Sequence, residues 1–547
     1  MIERFLEKTE FTDYEDFIQN YRLKVPAHFN FGYDVIDEWA KSDPDKEALV
    51  WCNDEGEEKR FTFKDISELS NRAANVFRSL GLVKGDFVML MLKQRPEAWI
   101  CIVALIKLGV IVIPATFQLT EKDIIYRVNA AKAKMIVCAY DADIVKHINL
   151  SVEKCPSLEH VAMVDDERIP EGYLDFRKLM RDAPATLERV MNENDDYMLA
   201  YFTSGTNGMP KMAIHTFTYP LGHITTGKYW NCVEDGKLHL TVSDSGWAKF
   251  GWGKIFGQWI AGAVMVGYDT EKFNPIKMLE TIQRLKITTF CAPPTVYRFL
   301  IKEDIFSYDL SSIHHYGIAG EPLNPEVLHR LEAATGLQIH EGFGQTETTV
   351  IIGYFGGFYP IRPGSMGKPA PLYDIDIVDE EGNSCEDGVV GSIVIRNRPV
   401  GLFKEYYNDP EANARAFKNG YYNTGDTAWR DADGYYWFVG RNDDVIKCSG
   451  YRIGPFEVES ALMTHPSVLE CAITAVPDPV RGQVVKATIV LARGYTASEE
   501  LKKELQNHVK KVTAPYKYPR VVEFVEELPK TVSGKIRRKQ IREEDAK

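Results

Sequence analysis

The segment Tyr201-Phe-Thr-Ser-Gly-Thr-Asn-Gly-Met-Pro-Lys211 decides the fold of this 547-residue chain. Residues 198–203 form the apolar end of a predicted strand, and the loop that follows offers hydroxyl groups and unobstructed backbone N–H groups. Such a loop suits an anion, and Lys211 adds a mobile positive charge. The Gly-x-x-Gly-x-x-Lys spacing differs from the Walker pattern, so it does not indicate a P-loop NTPase. Taken alone, the segment fits an ordinary small-residue turn equally well.

Five further motifs follow in order along the chain. They are Gly320-Glu-Pro-Leu, Glu341-Gly-Phe-Gly-Gln-Thr-Glu347, Tyr422-Asn-Thr-Gly-Asp426, Gly440-Arg-Asn-Asp-Asp-Val-Ile-Lys-Cys-Ser-Gly-Tyr-Arg452 and Leu528-Pro-Lys-Thr-Val-Ser-Gly-Lys535. Together with the opening loop they resemble the motif set of the adenylate-forming superfamily, which comprises acyl-CoA synthetases, peptide-synthetase adenylation domains and beetle luciferases. The resemblance extends over nearly the whole chain.

Three finer matches resemble the medium-chain acyl-CoA synthetase branch: Ser243-Asp-Ser-Gly-Trp247, Val476-Pro-Asp-Pro-Val-Arg-Gly482 and Val512-Thr-Ala-Pro-Tyr-Lys-Tyr-Pro-Arg520. The resemblance implies an ATP-dependent acid:CoA ligase that forms acyl-CoA through acyl-AMP and releases AMP and pyrophosphate. Its substrates would be ATP, CoA and a medium-chain, branched or aromatic carboxylic acid. It also implies a mobile C-terminal domain that rotates about a hinge at Asp443.

Composition is that of a multidomain globular protein, with 45% hydrophobic residues and a net charge of −13. This negative charge argues against a nucleic-acid or anionic-membrane surface, so any bound anion needs local basic groups. The nine cysteines are scattered without a Cys-x-x-Cys pair, as expected in a reducing compartment. A homo-oligomer stays an open alternative.

The N-terminal segment Met1-Ile-Glu-Arg-Phe-Leu-Glu-Lys lacks an apolar signal core and an acid-poor, Arg-rich pattern, so we expect a cytoplasmic protein. The most apolar run, residues 99–114, contains Lys107 and is shorter than the ~20 residues of a membrane span. It predicts a buried helix followed by a strand.

Short β-rich runs alternate with helical stretches from residue 48 onward, and the alternation resumes after the opening loop. This pattern predicts an α/β fold with two mostly parallel sheets in a large domain of residues 1–442. Residues 364–439 lose helical periodicity and predict a small β-barrel-like subdomain, and residues 443–547 predict a compact α+β domain. Ligands bind at the carboxyl ends of strands in such sheets, so the loops at 203–211, 320–321 and 341–347 are expected to converge.

The resemblance assigns ATP binding to residues that follow predicted strands, lie near the domain boundary or, for Lys535, lie in a loop near the C-terminal end. They are Thr203, Ser204, Gly205, Thr206, Asn207, Gly208, Met209, Pro210, Lys211, Gly320, Glu321, Pro322, Glu341, Gly342, Phe343, Gly344, Gln345, Thr346, Asp426, Arg441, Arg452 and Lys535. Asp426 would accept both ribose hydroxyls, because a carboxylate is acceptor-only. Glu347 would bind Mg²⁺, a cation that prefers oxygen ligands. Without the resemblance, Asp426 is equally a turn residue and Glu347 a solvated surface acid.

The resemblance places Lys535, Thr346 and Glu347 in the catalytic set, with Lys535 bridging the attacking carboxylate and the α-phosphate. It assigns CoA contacts to Gln118, Ser449, Gly450, Tyr451, Arg481, Lys510, Tyr518, Pro519 and Arg520. An acyl pocket lined by His215, Trp247, Phe343, Gly344 and Thr346 is expected. Acetate-specific synthetases have a tryptophan where this chain has Gly344, which predicts a deeper pocket. His215 fits a pocket gate and a hydrogen-bonded structural histidine equally well.

Three residues depart from the common motif pattern: Asn207, Met209 and Lys447. None removes a catalytic group, but they leave substrate choice open. The alternatives are a short-chain ligase for propionate or butyrate, an adenylation enzyme that loads a carrier protein, a luciferase-like oxygenase and a nucleotide-binding protein without catalysis. The last is disfavoured because Lys535, Glu347 and Asp426 are all present.

Overall fold

A computed structural model describes residues 1–203, 209–320, 325–448, 451–530 and 535–545. Seventeen α-helices are found among these residues. They are α1 (Tyr14–Asn20), α2 (Glu38–Ser42), α3 (Phe63–Ser79), α4 (Glu97–Leu108), α5 (Glu121–Ala131), α6 (Ala142–Ser151), α7 (Phe176–Asp182), α8 (Tyr219–Gly222), α9 (Ala248–Lys254), α10 (Phe256–Ile260), α11 (Pro275–Leu285), α12 (Pro294–Leu300), α13 (Pro325–Thr335), α14 (Pro410–Ala416), α15 (Pro455–Met463), α16 (Glu499–Val512) and α17 (Arg538–Asp545).

The described part of the chain also forms four β-sheets. The strands of the first half are β1 (Glu47–Asn53), β2 (Glu58–Thr62), β3 (Phe87–Met91), β4 (Ile111–Pro114), β5 (Met135–Ala139), β6 (His160–Val164), β7 (Leu174–Asp175), β8 (Tyr197–Thr203), β9 (Lys211–Thr216), β10 (Leu238–Thr241), β11 (Val264–Asp269), β12 (Thr289–Ala292) and β13 (His315–Ala319). Those of the second half are β14 (Ile339–Gly344), β15 (Val350–Gly353), β16 (Lys368–Pro369), β17 (Ile375–Val378), β18 (Gly391–Ile395), β19 (Glu405–Tyr406), β20 (Tyr422–Arg430), β21 (Tyr436–Arg441), β22 (Ile446–Cys448), β23 (Tyr451–Ile453), β24 (Val468–Asp478), β25 (Gly482–Leu491) and β26 (Val521–Val525).

Two large, mostly parallel sheets confirm the predicted α/β class. One has the order β19-β9-β8-β4-β3-β5-β6-β7 and the other β16-β15-β14-β13-β12-β10-β11-β1-β2. The β-rich segment forms a four-stranded antiparallel sheet, β17-β18-β20-β21, and the C-terminal residues form a five-stranded sheet. Strand β19 leaves the β-rich segment and pairs with β9, which carries part of that segment to the edge of a large sheet.

Local sequence signals explain several helix ends. Helix α5 starts with a capping box, in which the Asp123 carboxylate accepts hydrogen bonds from the backbone and hydroxyl of Thr120. Helix α11 starts after Asn274, whose side-chain oxygen accepts hydrogen bonds from the backbone N–H groups of Ile276 and Lys277, and Pro275 is its first residue. These contacts are local in sequence, so the pattern alone predicts them.

Helix α4 is buried along its whole length and leads into the buried strand β4. This confirms that the apolar run 99–114 is a helix followed by a strand. Its single lysine, Lys107, is 0% exposed and pairs with Asp37 at 2.6 Å, so the charge is neutralised inside the core. No described helix is both long and apolar enough to cross a membrane.

Candidate active site

The opening loop connects the antiparallel strands β8 and β9, in which Thr203 pairs with Lys211. The loop residues Ser204, Gly205, Thr206, Asn207 and Gly208 lie outside the described residues, as do Glu321, Pro322, Ser449, Gly450 and the side chains of Tyr451 and Arg452. The Lys211 ammonium lies 4.8 Å from the ring centroid of Tyr406. The hairpin therefore directs this cation toward residues brought in by β19.

Residues 341–344 belong to strand β14 itself, so the prediction that the whole motif 341–347 is a loop after a strand was wrong for its first half. The motif contains two glycines, which are typical of a turn. Strand β14 is nevertheless paired on both sides, by β13 and β15. The strand ends at Gly344, which places the polar residues Gln345, Thr346 and Glu347 at the carboxyl end of β14.

Gln345 and Asp426 form the centre of the site. The Gln345 amide donates hydrogen bonds to Asp426 Oδ2 at 2.6 Å and to the Thr424 carbonyl at 2.8 Å. Tyr422 donates to Gln345 Oε1 at 2.8 Å, which fixes the amide orientation. Tyr422 opens the motif that contains Asp426, but its contact with Gln345 was not predicted from the sequence.

The Asp426 side chain is only 4% exposed. Burial raises the pKa of its carboxyl to about 6, and the nearby positive charges of Arg441 and Lys535 oppose this rise. Arg441 Nε lies 3.8 Å from Asp426 Oδ1, on the strand that pairs with β20. Gly425 has a φ of +74°, and a Cβ there would lie 3.4 Å from Arg441 Nη2. A glycine before the aspartate therefore suits both the turn and the neighbouring cation.

Glu347 is the second buried carboxylate of the site, at 8% exposure. Burial raises the pKa of its carboxyl, while a 2.7 Å hydrogen bond from the Tyr406 hydroxyl opposes the rise. Tyr406 was missed in the sequence, because only the pairing of β19 with β9 brings it here.

The described residues contain no group of three or more His, Cys, Asp or Glu side chains that could hold a metal ion. Mg²⁺ is commonly bound by one or two carboxylates together with substrate phosphates. The single carboxylate of Glu347, close to the Lys211 cation that also acts on its pKa, fits that mode.

Lys535 lies near enough to Asp426 for its positive charge to act on the pKa of that carboxyl. The two residues are more than a hundred positions apart in the chain. The structure therefore brings the C-terminal lysine to the side of the site where Asp426 and Arg441 lie.

The predicted hinge lies between two anchored neighbours. The backbone N–H of Asn442 donates to the Gly425 carbonyl at 2.9 Å, which ties it to the large domain. Asp444 pairs with Arg542 of helix α17, which ties it to the C-terminal domain. The Asp443 side chain is 40% exposed and lies 4.0 Å from Arg441 Nε. One exposed ion pair also joins the two domains, between Lys447 and Glu380 at 3.7 Å.

The predicted CoA residues of the C-terminal domain form a cationic cluster around Tyr518. The ring of Tyr518 lies 4.1 Å from the Lys510 ammonium and 4.7 Å from the Arg520 guanidinium, and Arg520 Nη1 donates to its hydroxyl. Arg481 and Arg520 both act on the pKa of Asp478, so Arg481 belongs to the same area. Pro519 accepts a hydrogen bond from Gln506 at 3.0 Å. Gln118 lies apart on the large domain, exposed after β4.

The predicted acyl residues are brought together in part. His215 Nε2 lies 2.8 Å from the Thr346 carbonyl oxygen, and Trp247 precedes helix α9. Phe343 faces Phe438, with ring centroids 6.1 Å apart. A Cβ at Gly344 would lie 2.5 Å from Trp252 Cη2 and 2.2 Å from the Thr349 carbonyl oxygen. The space beside Gly344 is thus filled by Trp252, which weakens the argument from Gly344 for a deep pocket.

The AMP-binding enzyme family model matches residues 36–407, and the AMP-binding enzyme C-terminal domain model matches residues 457–535. Acyl-coenzyme A synthetase ACSM3, mitochondrial, from Homo sapiens is 43% identical, with 98% of this chain and 93% of the relative covered. Acyl-coenzyme A synthetase ACSM5, mitochondrial, from Rattus norvegicus is 44% identical, with 95% and 91% covered.

Among solved structures, the anthranilate CoA ligase AuaEII in complex with anthranoyl-AMP superposes with a TM-score of 0.87 at 30% identity. That match covers 95% of this chain and 98% of the solved chain. These matches confirm the resemblance inferred from the motifs, and they extend over both the large and the C-terminal parts. The chain belongs to the AMP-binding enzyme family.

Proposed function

We propose that this enzyme is an AMP-forming acyl-CoA synthetase that activates a carboxylic acid with ATP and transfers the acyl group to CoA. The observation that carries the proposal is the convergence of Lys535, Asp426 and Glu347 from three separate parts of the chain. The similarity to acyl-coenzyme A synthetases over nearly the full length supports the same reaction.

In the first half-reaction the acid carboxylate attacks the α-phosphorus of ATP, and pyrophosphate leaves. Asp426, held by Gln345, would accept the ribose hydroxyls, and Lys211 would face the phosphates. Lys535 would neutralise charge that develops between the acid and the α-phosphate. Glu347 would hold Mg²⁺, which supplies charge neutralisation of the phosphates when bound.

In the second half-reaction the CoA thiolate attacks the acyl carbonyl, and AMP leaves. We propose that residues 443–547 rotate about Asp443, because its neighbours are anchored to opposite domains. The rotation would withdraw Lys535 and bring residues 449–451 to the thiol. The cationic cluster around Tyr518 would face the phosphorylated nucleotide of CoA.

The acid substrate is proposed to be medium-chain, branched or aromatic. The anthranilate CoA ligase supports an aromatic acid, and the acyl-coenzyme A synthetases support the acyl class. A short-chain acid is the second candidate, because Trp252 occupies the space beside Gly344. A chain-length optimum at or below butyrate would favour this second candidate.

The test is acid-dependent release of pyrophosphate from ATP and Mg²⁺, measured with and without CoA. The acids are a straight-chain series from acetate to decanoate, with 2-methylbutyrate and benzoate. Turnover that requires CoA and an optimum beyond butyrate are expected. Activation without any transfer to CoA would favour a carrier-protein acceptor, and no release with any acid would overturn the proposal. Loss of release on removal of Mg²⁺ by a chelator, with recovery on its return, tests the role of the metal.

The compartment has two candidates. The human and rat relatives are named as mitochondrial proteins, whereas the N-terminal composition predicts the cytoplasm. Fractionation of cells that express the tagged chain separates the two.

A further inference from the structure

Five buried polar side chains lie together beside the predicted acyl pocket, and four of them offer a hydrogen-bonding group that has no partner in the described part of the chain. We call them the polar cluster: His215, Tyr219, His223, Trp252 and Gln258. All five are less than a tenth exposed. His215 Nδ1, His223 Nε2 and Gln258 Oε1 have no hydrogen-bond partner, whereas the Trp252 indole N–H lies within hydrogen-bond reach of the Tyr219 hydroxyl and leaves the proton of that hydroxyl unpaired.

The cluster is continuous and ends at acyl-pocket residues on both sides. The His215 and Tyr219 rings lie 3.8 Å apart, and those of Tyr219 and His223 lie 4.5 Å apart. The His223 and Trp252 rings are 6.3 Å apart. At one end His215 contacts the Thr346 carbonyl, and at the other Trp252 packs against Gly344.

The cluster offers both donors and acceptors. Burial lowers the pKa of His215 to about 3, so its ring is neutral near pH 7. Its Nε2–H donates to the Thr346 carbonyl, which leaves Nδ1 as an acceptor. Gln258 donates its amide N–H to the Trp252 carbonyl and keeps Oε1 as a second acceptor. The Tyr219 hydroxyl and the Trp252 indole N–H are donors.

Such a concentration of unpaired polar groups destabilises the folded state. Each buried unpaired polar atom lowers the stability of the folded state, and native proteins pair about nine in ten of them. The set lies against Gly344 and Thr346, so an acid bound in the predicted acyl pocket would lie next to it.

Charge restricts the chemistry of that group. Burial keeps both His215 and His223 neutral, and Tyr219, Trp252 and Gln258 carry no charge near pH 7. A second carboxylate or an ammonium group would be buried here without an opposite charge from the cluster. A neutral hydroxyl group both donates and accepts, so it can satisfy His215 Nδ1 and the Tyr219 hydroxyl together.

We propose, on the basis of the function proposed above, that the preferred acid carries a neutral hydroxyl group on its acyl part, which exchanges hydrogen bonds with the polar cluster. His215 Nδ1 accepts from this hydroxyl, and Tyr219 donates to it. The substrate class is thereby narrowed to hydroxylated monocarboxylic acids.

The experiment compares hydroxylated acids with their unsubstituted parents. The value of kcat/KM is measured by pyrophosphate release for benzoate and its 2-, 3- and 4-hydroxy derivatives, and for hexanoate and its 3- to 6-hydroxy derivatives. At least one hydroxy acid is expected to exceed its parent by about 10-fold or more, because a site built to bond a hydroxyl discriminates strongly against its absence.

Tyr219→Phe removes only the phenol oxygen. It should lower kcat/KM for the preferred hydroxy acid about 10-fold more than for its parent. Trp252→Phe, which removes the indole N–H, is the second variant if Tyr219→Phe does not fold. Tyr316→Phe is the matched control, because Tyr316 is a buried phenol in a different part of the core, packed with Phe290 and Tyr297. Tyr316→Phe should leave unchanged the ratio of kcat/KM for the hydroxy acid to kcat/KM for its parent.

The outcomes separate this inference from the proposed function. If the parent acids react and no hydroxy acid exceeds its parent, the inference is overturned and ordered water pairs with the cluster instead. The inference is also overturned if both Tyr219→Phe and Trp252→Phe leave unchanged the ratio of kcat/KM for the hydroxy acid to kcat/KM for its parent. If no acid of either kind releases pyrophosphate, the proposed function itself fails.

Discussion

Asp426 is an acid whose ionisation is opposed by burial and supported by its neighbours Gln345, Arg441 and Lys535. Because its folded pKa lies above the unfolded value, the neutral form stabilises the folded state. This contribution is lost as the pH rises from about 4 to about 6. The ribose hydroxyls require the opposite form, since the ionised carboxylate accepts from both.

We therefore expect nucleoside binding to weaken below pH 6. Adenosine is the suitable probe because it has no phosphate that titrates there. Its affinity, measured by calorimetry, should fall about 10-fold per pH unit below pH 6. Asp426→Asn should bind adenosine more weakly, with no such slope. An affinity of the unsubstituted enzyme that stays constant from pH 5 to 7.5 would contradict the assignment of Asp426 to the ribose.

Lys535 is expected to act in adenylation alone. Lys535→Ala should slow acid-dependent exchange of pyrophosphate with ATP by roughly 10²–10³-fold, because an oriented charge at the reacting phosphate is lost. Conversion of supplied acyl-AMP and CoA to acyl-CoA should be largely spared. Lys530→Ala is the control, since Lys530 pairs with Glu470 at 2.8 Å outside the site. Equal loss of both half-reactions would count against this role.

Individual elements differ in how far the sequence predicts them. Helix α5 begins with a capping box and helices α11 and α15 each begin at a proline, so local sequence signals mark where these three helices start. Helix α17 was missed: Ile541 is its only buried residue among those described, so no apolar stripe marks it. It is held by ion pairs of Arg538 and Arg542 with Glu459 and Asp444.

The residues of the site also differ in how far the sequence predicts them. Asp426, Glu347 and Lys535 are recognisable from motif order, although the roles proposed for them stay predictions. Tyr406 was not predictable, because it reaches Glu347 only through the pairing of β19 with β9, almost two hundred residues apart. The polar cluster likewise depends on contacts between distant segments, and only His215 had been singled out.

The linker residue Asp443 offers a test of domain rotation. Asp443→Pro should trap the adenylating arrangement, because proline fixes φ near −65°. Acyl-AMP should still form in a single turnover, whereas acyl-CoA formation should be lost. Asp443→Ala, which keeps backbone freedom, is the matched control and should retain both steps. A normal rate of acyl-CoA formation by Asp443→Pro would exclude rotation about this residue.

Over the whole molecule, five histidines with a lowered pKa make the large domain sensitive to acid. The pKa of each is lowered by burial: His215, His223, His239, His315 and His340. The unfolded chain binds protons at these histidines below about pH 6.5, but the folded chain does so only at lower pH. Their contribution to stability is complete above about pH 6.5 and is lost as the pH falls.

At pH 5.5 each of these histidines should cost about 1 kcal/mol of unfolding free energy relative to pH 7.5. Four carboxyl groups whose pKa is raised by burial act in the opposite direction, and the five histidines outnumber them: Asp244, Asp269, Glu347 and Asp426. Scanning calorimetry should therefore show a lower Tm for the large domain at pH 5.5 than at pH 7.5, with little change from pH 7.5 to 8.5. A Tm that stays constant or rises on acidification would contradict this account.

The ion pair between Lys447 and Glu380 joins the two domains in the arrangement described, and both side chains are 68% exposed. Ions in solution screen such a pair readily. In the rotated arrangement proposed for thioester formation the two partners would separate, so salt should favour that arrangement. Ionic strength would then change the relative populations of the two domain arrangements without altering any catalytic group. Lys447→Ala should remove the part of this salt dependence that comes from the ion pair.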